Sequence, residues 1–516
     1  MTGTPSPDRD ERADATASAA LLNDVIDDPF SRAAGAPLIR GNSVRLLKDA
    51  AENYPAWFAA IRAAQHHIHF ESYFVCDDEV GRELAEALSD KARAGVRVRL
   101  IYDWLGNFRK ASSRFWQDLR ASGVEVRCYN PPKLESPFGW LSRDHRKMLS
   151  VDGKVGYITG LCVGRMWLGD PSRQIEPWRD TGVEVRGRAV TEIERSFIRM
   201  WALLGEPLPP EDVPGVPAPA GDVSMRIVAT EPATAGMLRV DQLVAALAGA
   251  RLWLTDAYYA GLTPYVQALR AAAKDGIDVR LLVPNSTDIP MLRPISRSGY
   301  RPLLEAGVRV YEWNGTMLHA KSAVADGSWA RVGSTNLNIA SWLGNCELDA
   351  VIENAAFAEQ MEQMYLEDLE NSTEIVLSRR HRMRAVGEER RRHRPHGGRR
   401  LRLGRERRVG RGSAGRAAAG AVRIGHAVGA AFTNRRVLGP IEARLTTITG
   451  IALCGLAIAF ALFPRVLAYP LSIVAAWAGI ALLYRGVRLW RESRRAASAE
   501  RAGRKAAAGA DAKREA

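Results

Sequence analysis

Two stretches of this chain carry the same residue types at the same spacing. The first is His145-Arg146-Lys147 followed by Asp152, and the second is His319-Ala320-Lys321 followed by Asp326. Both read H-x-K-x-x-x-x-D. Two imidazoles and two ammonium groups suit phosphodiester chemistry: one ring attacks phosphorus, the other protonates the leaving oxygen, and the lysines hold the equatorial oxygens. One copy supplies half of that set. On a strand, residues two apart share a face, so each His emerges beside its Lys. A single copy has a plainer reading as a solvated strand face with Asp in the next turn. Two copies, each running into Asp-Gly and a short apolar strand, favour a paired site.

The double motif resembles that of the phospholipase D superfamily, and within it the bacterial cardiolipin synthases are most similar, from about Leu46 to Glu374. The resemblance implies an α/β fold: two similar α-β-α sandwich halves sharing one active site. It also implies a phosphohistidine intermediate, with no metal and no cofactor. The motif residues His145, Lys147, Asp152, His319, Lys321 and Asp326 become the expected catalytic set. In the family a Gly-Ser-x-Asn segment helps hold phosphate; it stands here as Gly333-Ser334-Thr335-Asn336. The first half reads Thr159-Gly160-Leu161-Cys162, with Cys162 where the Asn is expected. The family also places a carboxylate some way beyond each His to orient its ring. The matching residues are Asp180, expected to serve His145, and Glu347, expected to serve His319. Such a carboxylate fixes the tautomer and raises the basicity of the far nitrogen.

The elements around these residues are also duplicated. Lys91-Ala-Arg-Ala-Gly95-Val-Arg-Val has a partner in Ala272-Ala-Lys-Asp-Gly276-Ile-Asp-Val, and Ser122-Gly123-Val-Glu-Val one in Ala306-Gly307-Val-Arg-Val. In each a helical pattern stops at Gly and a β-branched strand follows. The strands opening the halves, His67–Phe74 and Arg251–Tyr258, also match. Offsets of about 170 to 185 residues indicate a duplicated domain rather than a solenoid repeat. The expected organisation is a disordered N-terminus over 1–40, a first half over 41–202, and a Pro-rich linker over 203–224. A second half spans 225–378 and an Arg-rich linker 379–444; a membrane hairpin over 445–484 and a basic tail over 485–516 follow. The clustered His66, His67 and His69 suggest a metal site, but alternate spacing divides them between faces and no acidic partner stands nearby in sequence.

Charge is divided along the chain. From Arg379 onward there are 31 basic and 8 acidic residues, leaving 41 basic and 50 acidic ahead of it. The catalytic body is therefore acidic, which disfavours a nucleic-acid substrate. The basic segment suits an anionic membrane surface or a solvated linker equally well. Two charge-free apolar runs, Leu445–Phe463 and Leu467–Tyr484, have the length of bilayer-crossing helices and are flanked by arginines. Both flanks are expected on the cytoplasmic side of the cell inner membrane, together with the catalytic body. Five scattered cysteines fit a reducing compartment. The expected activity is a membrane-anchored phosphatidyltransferase, cardiolipin synthase-like, with phosphatidylglycerol as the phospholipid substrate. A hydrolytic phospholipase D, a nuclease of the same superfamily and a non-catalytic membrane organiser stay open at this point.

Overall fold

A computed structural model describes residues 29–132, 142–377 and 435–438, with isolated helical positions between 455 and 480. The chain forms two compact units, residues 1–129 with 144–443 and residues 130–143 with 444–516. In the second unit the Asn130 side chain donates to the Ser142 carbonyl (2.9 Å). The expected hairpin over 445–484 and basic tail over 485–516 lie outside the described residues, apart from those isolated positions. Most of the Arg-rich segment 379–444 does too. Among the described residues no helix is long and apolar enough to cross a membrane.

The first unit contains the duplication. Its first copy runs α1 (29–34), β1 (Ile39–Lys48), α2 (Asp49–Ala63), β2 (His67–Ser72), α3 (Glu79–Arg93), β3 (Arg97–Asp103), α4 (Ser113–Ala121), β4 (Glu125–Tyr129), β5 (Lys147–Val151), β6 (Val155–Thr159), β7 (Thr181–Gly187) and α5 (Val190–Leu203). The second copy runs β8 (Val223–Thr230), α6 (Gly236–Leu247), β9 (Arg251–Thr255), α7 (Thr263–Lys274), β10 (Asp278–Pro284), α8 (Leu292–Ser298), α9 (Tyr300–Ala306), β11 (Arg309–Trp313), β12 (Ser322–Ala325), β13 (Trp329–Gly333), β14 (Glu347–Glu353) and α10 (Ala355–Glu370). Strands β15 (Ser372–Leu377) and β16 (Arg435–Leu438) add an edge.

All these strands join one mixed sheet. Its order is β4-β3-β2-β5-β6-β7-β1 followed by β8-β14-β13-β12-β9-β10-β11, with β15 and β16 beyond. Each half repeats the other's order about the antiparallel β1–β8 join, where Ile39 pairs with Met225 and Asn42 with Val223. Helices α2 and α3 pack an apolar face on one side of the first half, and α6, α7 and α9 do so for the second. On the opposite face α5 and α10 bury Phe197, Trp201, Phe357 and Tyr365 in a core common to both halves. The α-β-α layering is thus present in each copy.

The local signals operate as their chemistry dictates. Asp78, Ser112 and Asn354 cap α3, α4 and α10 by accepting from the backbone N–H three residues on. The helix-stopping Gly95 and Gly276 take φ of +89° and +97°, open to residues without a Cβ. Two boundaries differ from expectation. Residues 29–40 do not belong to a disordered terminus: α1 buries Phe30 and Ala34 in the second-half core, and β1 begins at Ile39. The linker is pinned rather than featureless, since Asp212 lies in a 3-10 turn and pairs with Arg97 and Arg99.

Candidate active site

Strands β5 and β12 occupy equivalent positions in the two halves, each pairing antiparallel with the second strand of its half, β2 or β9. The motif His stands just before that pairing begins. Period-two geometry puts each Lys beside its His, and both pairs are buried. The Lys147 Nζ donates to the His145 carbonyl and the Lys321 Nζ to the His319 carbonyl. Each ammonium also lies over a tyrosine ring, Lys147 over Tyr73 (5.5 Å) and Lys321 over Tyr258 (5.6 Å). These tyrosines follow the matched strands β2 and β9, and each meets its histidine edge-on. Their repeated place in sequence was the available signal for them.

The carboxylates reach across the duplication. His145 Nδ1 faces Glu347 Oε2 at 2.9 Å, and His319 Nδ1 faces Asp180 Oδ2 at 2.7 Å. The expectation that each carboxylate serves the His of its own half is therefore corrected. The backbone explains the exchange. The His145 N–H donates to the Cys346 carbonyl (2.9 Å), and the His319 N–H to the Arg179 carbonyl (2.7 Å). Each motif strand thus starts against the carboxylate-bearing strand of the other half, so each ring meets the other half's acid.

The electrostatics couple the halves as well. Burial pulls the His145 imidazole down to about 4 against Glu347, with Lys147 and Lys321 both assisting the drop. His319 falls to about 4 through burial and Lys321, opposed by Asp180. Burial also brings Lys321 down to about 8, and lowers Lys147. Asp180 and Glu347 are held below the usual carboxylate range: burial would raise them, and their histidine partners outweigh it. Both rings are thus neutral at pH 7, with Nδ1–H donated to the acid and Nε2 left as a base.

The third motif residue is elsewhere. Asp152 and Asp326 lie at the far ends of β5 and β12, about 15 Å along the strand from the motif lysines. Each occupies the first of two successive positive-φ positions in an Asp-Gly turn. Asp152 accepts from the N–H groups of Gln65, His66 and His67 (2.8–3.0 Å), and Asp326 from those of Gly249, Ala250 and Arg251 (2.7–2.8 Å). They tie the turn to the start of the neighbouring strand. Their expected catalytic role is corrected to an architectural one.

The phosphate-cradle segments differ between halves. Ser334 Oγ donates to Glu347 Oε2 (2.5 Å) and accepts from the Leu348 N–H (2.9 Å), so it steadies the acid behind His145. The Asn336 side chain is buried, and its Oδ1 has no partner among the described residues. Cys162 is equally buried, with its thiol raised by burial against the opposing influence of Lys147 and Lys321. Trp167 and Trp178 pack on His319, and the Trp167 indole donates to Asp180 Oδ2 (2.9 Å). Sequence gave no signal for these two tryptophans.

The family described as "Cardiolipin synthase, PLD-like domain" matches residues 58–201 and 246–369, one segment in each half. The chain belongs to this phospholipase D-like family. A cardiolipin synthase from Halalkalibacterium halodurans is 35% identical over 351 residues, covering 67% of this chain and 69% of its relative. One from Geobacillus kaustophilus is 33% identical over 345 residues, covering 66% and 68% respectively. Among solved structures, the phosphatidylserine synthase of Haemophilus influenzae Rd KW20 superposes with a TM-score of 0.54 at 14% identity, covering 67% of this chain and 92% of its own. It shares the fold.

Away from the phospholipase D-like site, His67, His69 and Glu194 are buried with ligating atoms all within 4.8 Å of one another, a set that could hold a metal ion. No acidic partner stands near these histidines along the chain, and the fold brings one from far away in sequence. Glu194 arrives from α5, and His67 and His69 share one strand face.

Proposed function

We propose that this protein is a phosphatidyltransferase of the cardiolipin synthase type, joining two phosphatidylglycerol molecules with release of glycerol. The observation that carries the reading is the crossed pairing: each imidazole is oriented by a carboxylate of the other half, so neither half is a complete site. The two halves then form one active site.

The His145 Nε2 attacks the phosphorus of phosphatidylglycerol, forming a P–N bond as the P–O bond to glycerol breaks. His319 delivers the proton to the departing glycerol oxygen. Its low affinity for a proton in the empty site rises when the anionic phosphodiester arrives between the lysines. Lys147, Lys321 and Asn336 hold the phosphoryl oxygens. In the second half-reaction His319 takes the proton from the hydroxyl of a second phosphatidylglycerol, whose oxygen attacks phosphorus while the P–N bond breaks. The residues need no further group for these steps. Membrane association follows from the substrate, with the runs over 445–484 as the anchor and the catalytic body on the cytoplasmic face of the inner membrane.

Expression in cells lacking cardiolipin, followed by lipid extraction, tests the proposal. Cardiolipin is expected with the wild-type chain and not with His145→Ala or His319→Ala. Phosphatidic acid as the sole product from phosphatidylglycerol vesicles would instead establish a hydrolase.

A further inference from the structure

We propose that the histidine-bearing edge of the sheet is itself a membrane-docking face, on which loops at corresponding places in both halves press exposed apolar side chains into an anionic bilayer. This deepens the phosphatidyltransferase reading and rests on it, because a lipid substrate is the reason for a bilayer to lie at this edge.

The strand directions decide which loops share that edge. Strands β2 and β3 are parallel and end on the side of Tyr73 and His145, so the loop after β3 emerges there. Strand β6 is antiparallel to β5 and ends on the same side. The second copy repeats this with β10 and β13. All four connections expose large apolar residues: Leu105 and Phe108 after β3, Leu168 after β6, Met291 and, in α8, Ile295 after β10, and Ile339 after β13. Met291 is 77% exposed and Phe108 58%, so folding leaves them in water. The opposite edge, with its two Asp-Gly turns, exposes Leu247 and, in the Pro-rich linker, Val213 and Val216. An apolar feature that recurs at equivalent loops in both copies, on the edge that carries the histidines, calls for an apolar partner at that edge.

Charge identifies the partner. Exposed cations stand beside the apolar residues: Arg109 and Lys110 follow Phe108, and Arg293 follows Met291. Apolar side chains that sink below the headgroups, with cations level with the phosphates, form the pattern of an anionic lipid interface. A protein partner seated here would cover the approach to the histidines, whereas a bilayer supplies its lipid through it.

The test compares wild type with Phe108→Ser/Met291→Ser/Ile339→Ser in the full chain, with Leu247→Ser as the far-edge control. On phosphatidylglycerol vesicles the triple variant is expected to lose about tenfold or more in kcat/KM, mainly through KM. On short-chain phosphatidylglycerol dissolved as monomers it should match wild type, and Leu247→Ser should match on both. Equal loss on both substrates, or no loss on vesicles, overturns the proposal. Hydrogen exchange with and without the vesicles reads docking independently of turnover. Protection of residues 104–110 and 287–297 by vesicles supports the docking face even if wild type turns over neither substrate, an outcome that would refute the phosphatidyltransferase reading alone. Protection confined to residues 379–516, or the same loops protected by self-association without lipid, overturns it.

Discussion

The two halves of the catalytic unit use one strand plan with different polar interiors. At the far end of β2, His67 and His69 bond Glu194 of α5, and His69 stacks on Phe197 at 4.4 Å. At the matching place in the second half Arg251 pairs with Glu362 of α10 at 3.2 Å, and Trp253 stacks on Tyr365 at 5.3 Å. The shared requirement is a cation or donor on the strand opposite a helix acid, with a flat ring packed behind it. That makes a structural, hydrogen-bonding role the simplest account of the Glu194 cluster, because burial lowers the His69 imidazole below its usual range. At the other edge the duplication is stricter, keeping His, Lys, Tyr and a carboxylate. There the halves differ in the cradle, Asn336 against Cys162. Duplication has preserved the His-Lys pairs, their tyrosines and their acids, and let one wall of the cradle and the far-edge contacts drift.

If the histidines are equivalent in weight, His145→Ala and His319→Ala should each cost about 10⁴-fold or more in cardiolipin formation, and the double variant little beyond either single. Additive losses would show two independent half-sites and break the crossed arrangement. Next come the carboxylates. Glu347→Gln and Asp180→Asn should each cost about 10²- to 10³-fold. The diagnostic reading is nuclear magnetic resonance of the rings: Glu347→Gln should shift His145 and leave His319 nearly unmoved, and Asp180→Asn the reverse. The opposite assignment would restore pairing within each half.

That crossing was not legible in the sequence. Asp180 follows His145 by 35 residues and Glu347 follows His319 by 28, so proximity along the chain suggests the wrong partners. The exchange depends on the backbone contacts of His145 with Cys346 and of His319 with Arg179, which no local pattern reports. The His-x-Lys pairs were legible because a strand's period of two is local. The Asp-Gly turns were legible too, yet the spacing of the Asp from the His says nothing about which end of the strand carries the chemistry. Glu194 was missed for the same reason as the crossing: it stands 125 residues from His69.

Acid should test the histidines together. Both active-site rings bind protons more weakly folded, at about 4, than unfolded, at about 6.5. The unfolded chain therefore takes up the extra protons as pH falls from about 6.5 to 4, and stability is lost over that window, by about 3 kcal/mol per ring at most. It is fully recovered above about pH 7. Urea midpoints between pH 4 and 7 should decline less steeply in His145→Gln or His319→Gln, and to a similar degree in each. A change in one variant alone would mean that the two rings are not equivalently buried.

The cradle should respond unequally. Asn336→Ala removes a buried amide from the phosphate site and should cost about 10- to 100-fold in kcat. Cys162→Ala should cost little, because a neutral buried thiol offers only a weak donor. Cys162→Asn sharpens the point: a rate at or above wild type would show that the first half retains room for the missing amide.

The smallest contrast lies at the far edge. Glu194 is buried and holds two rings and the Ser150 hydroxyl (2.5 Å); in Glu194→Leu both rings lose this partner and Ser150 keeps only the Val155 carbonyl (3.4 Å). Stranding those donors should cost about 3 kcal/mol. Arg251 is partly exposed, so water replaces its partner in Glu362→Leu, and the cost should stay near 1 kcal/mol. Chemical denaturation of the two variants gives the difference directly. If the cluster is a structural pairing of strand and helix like its counterpart, a chelator should leave the wild-type midpoint unchanged. A midpoint that falls with chelator and returns with added zinc would make Glu194 a ligand, and the likeness between the two far edges would end at the backbone.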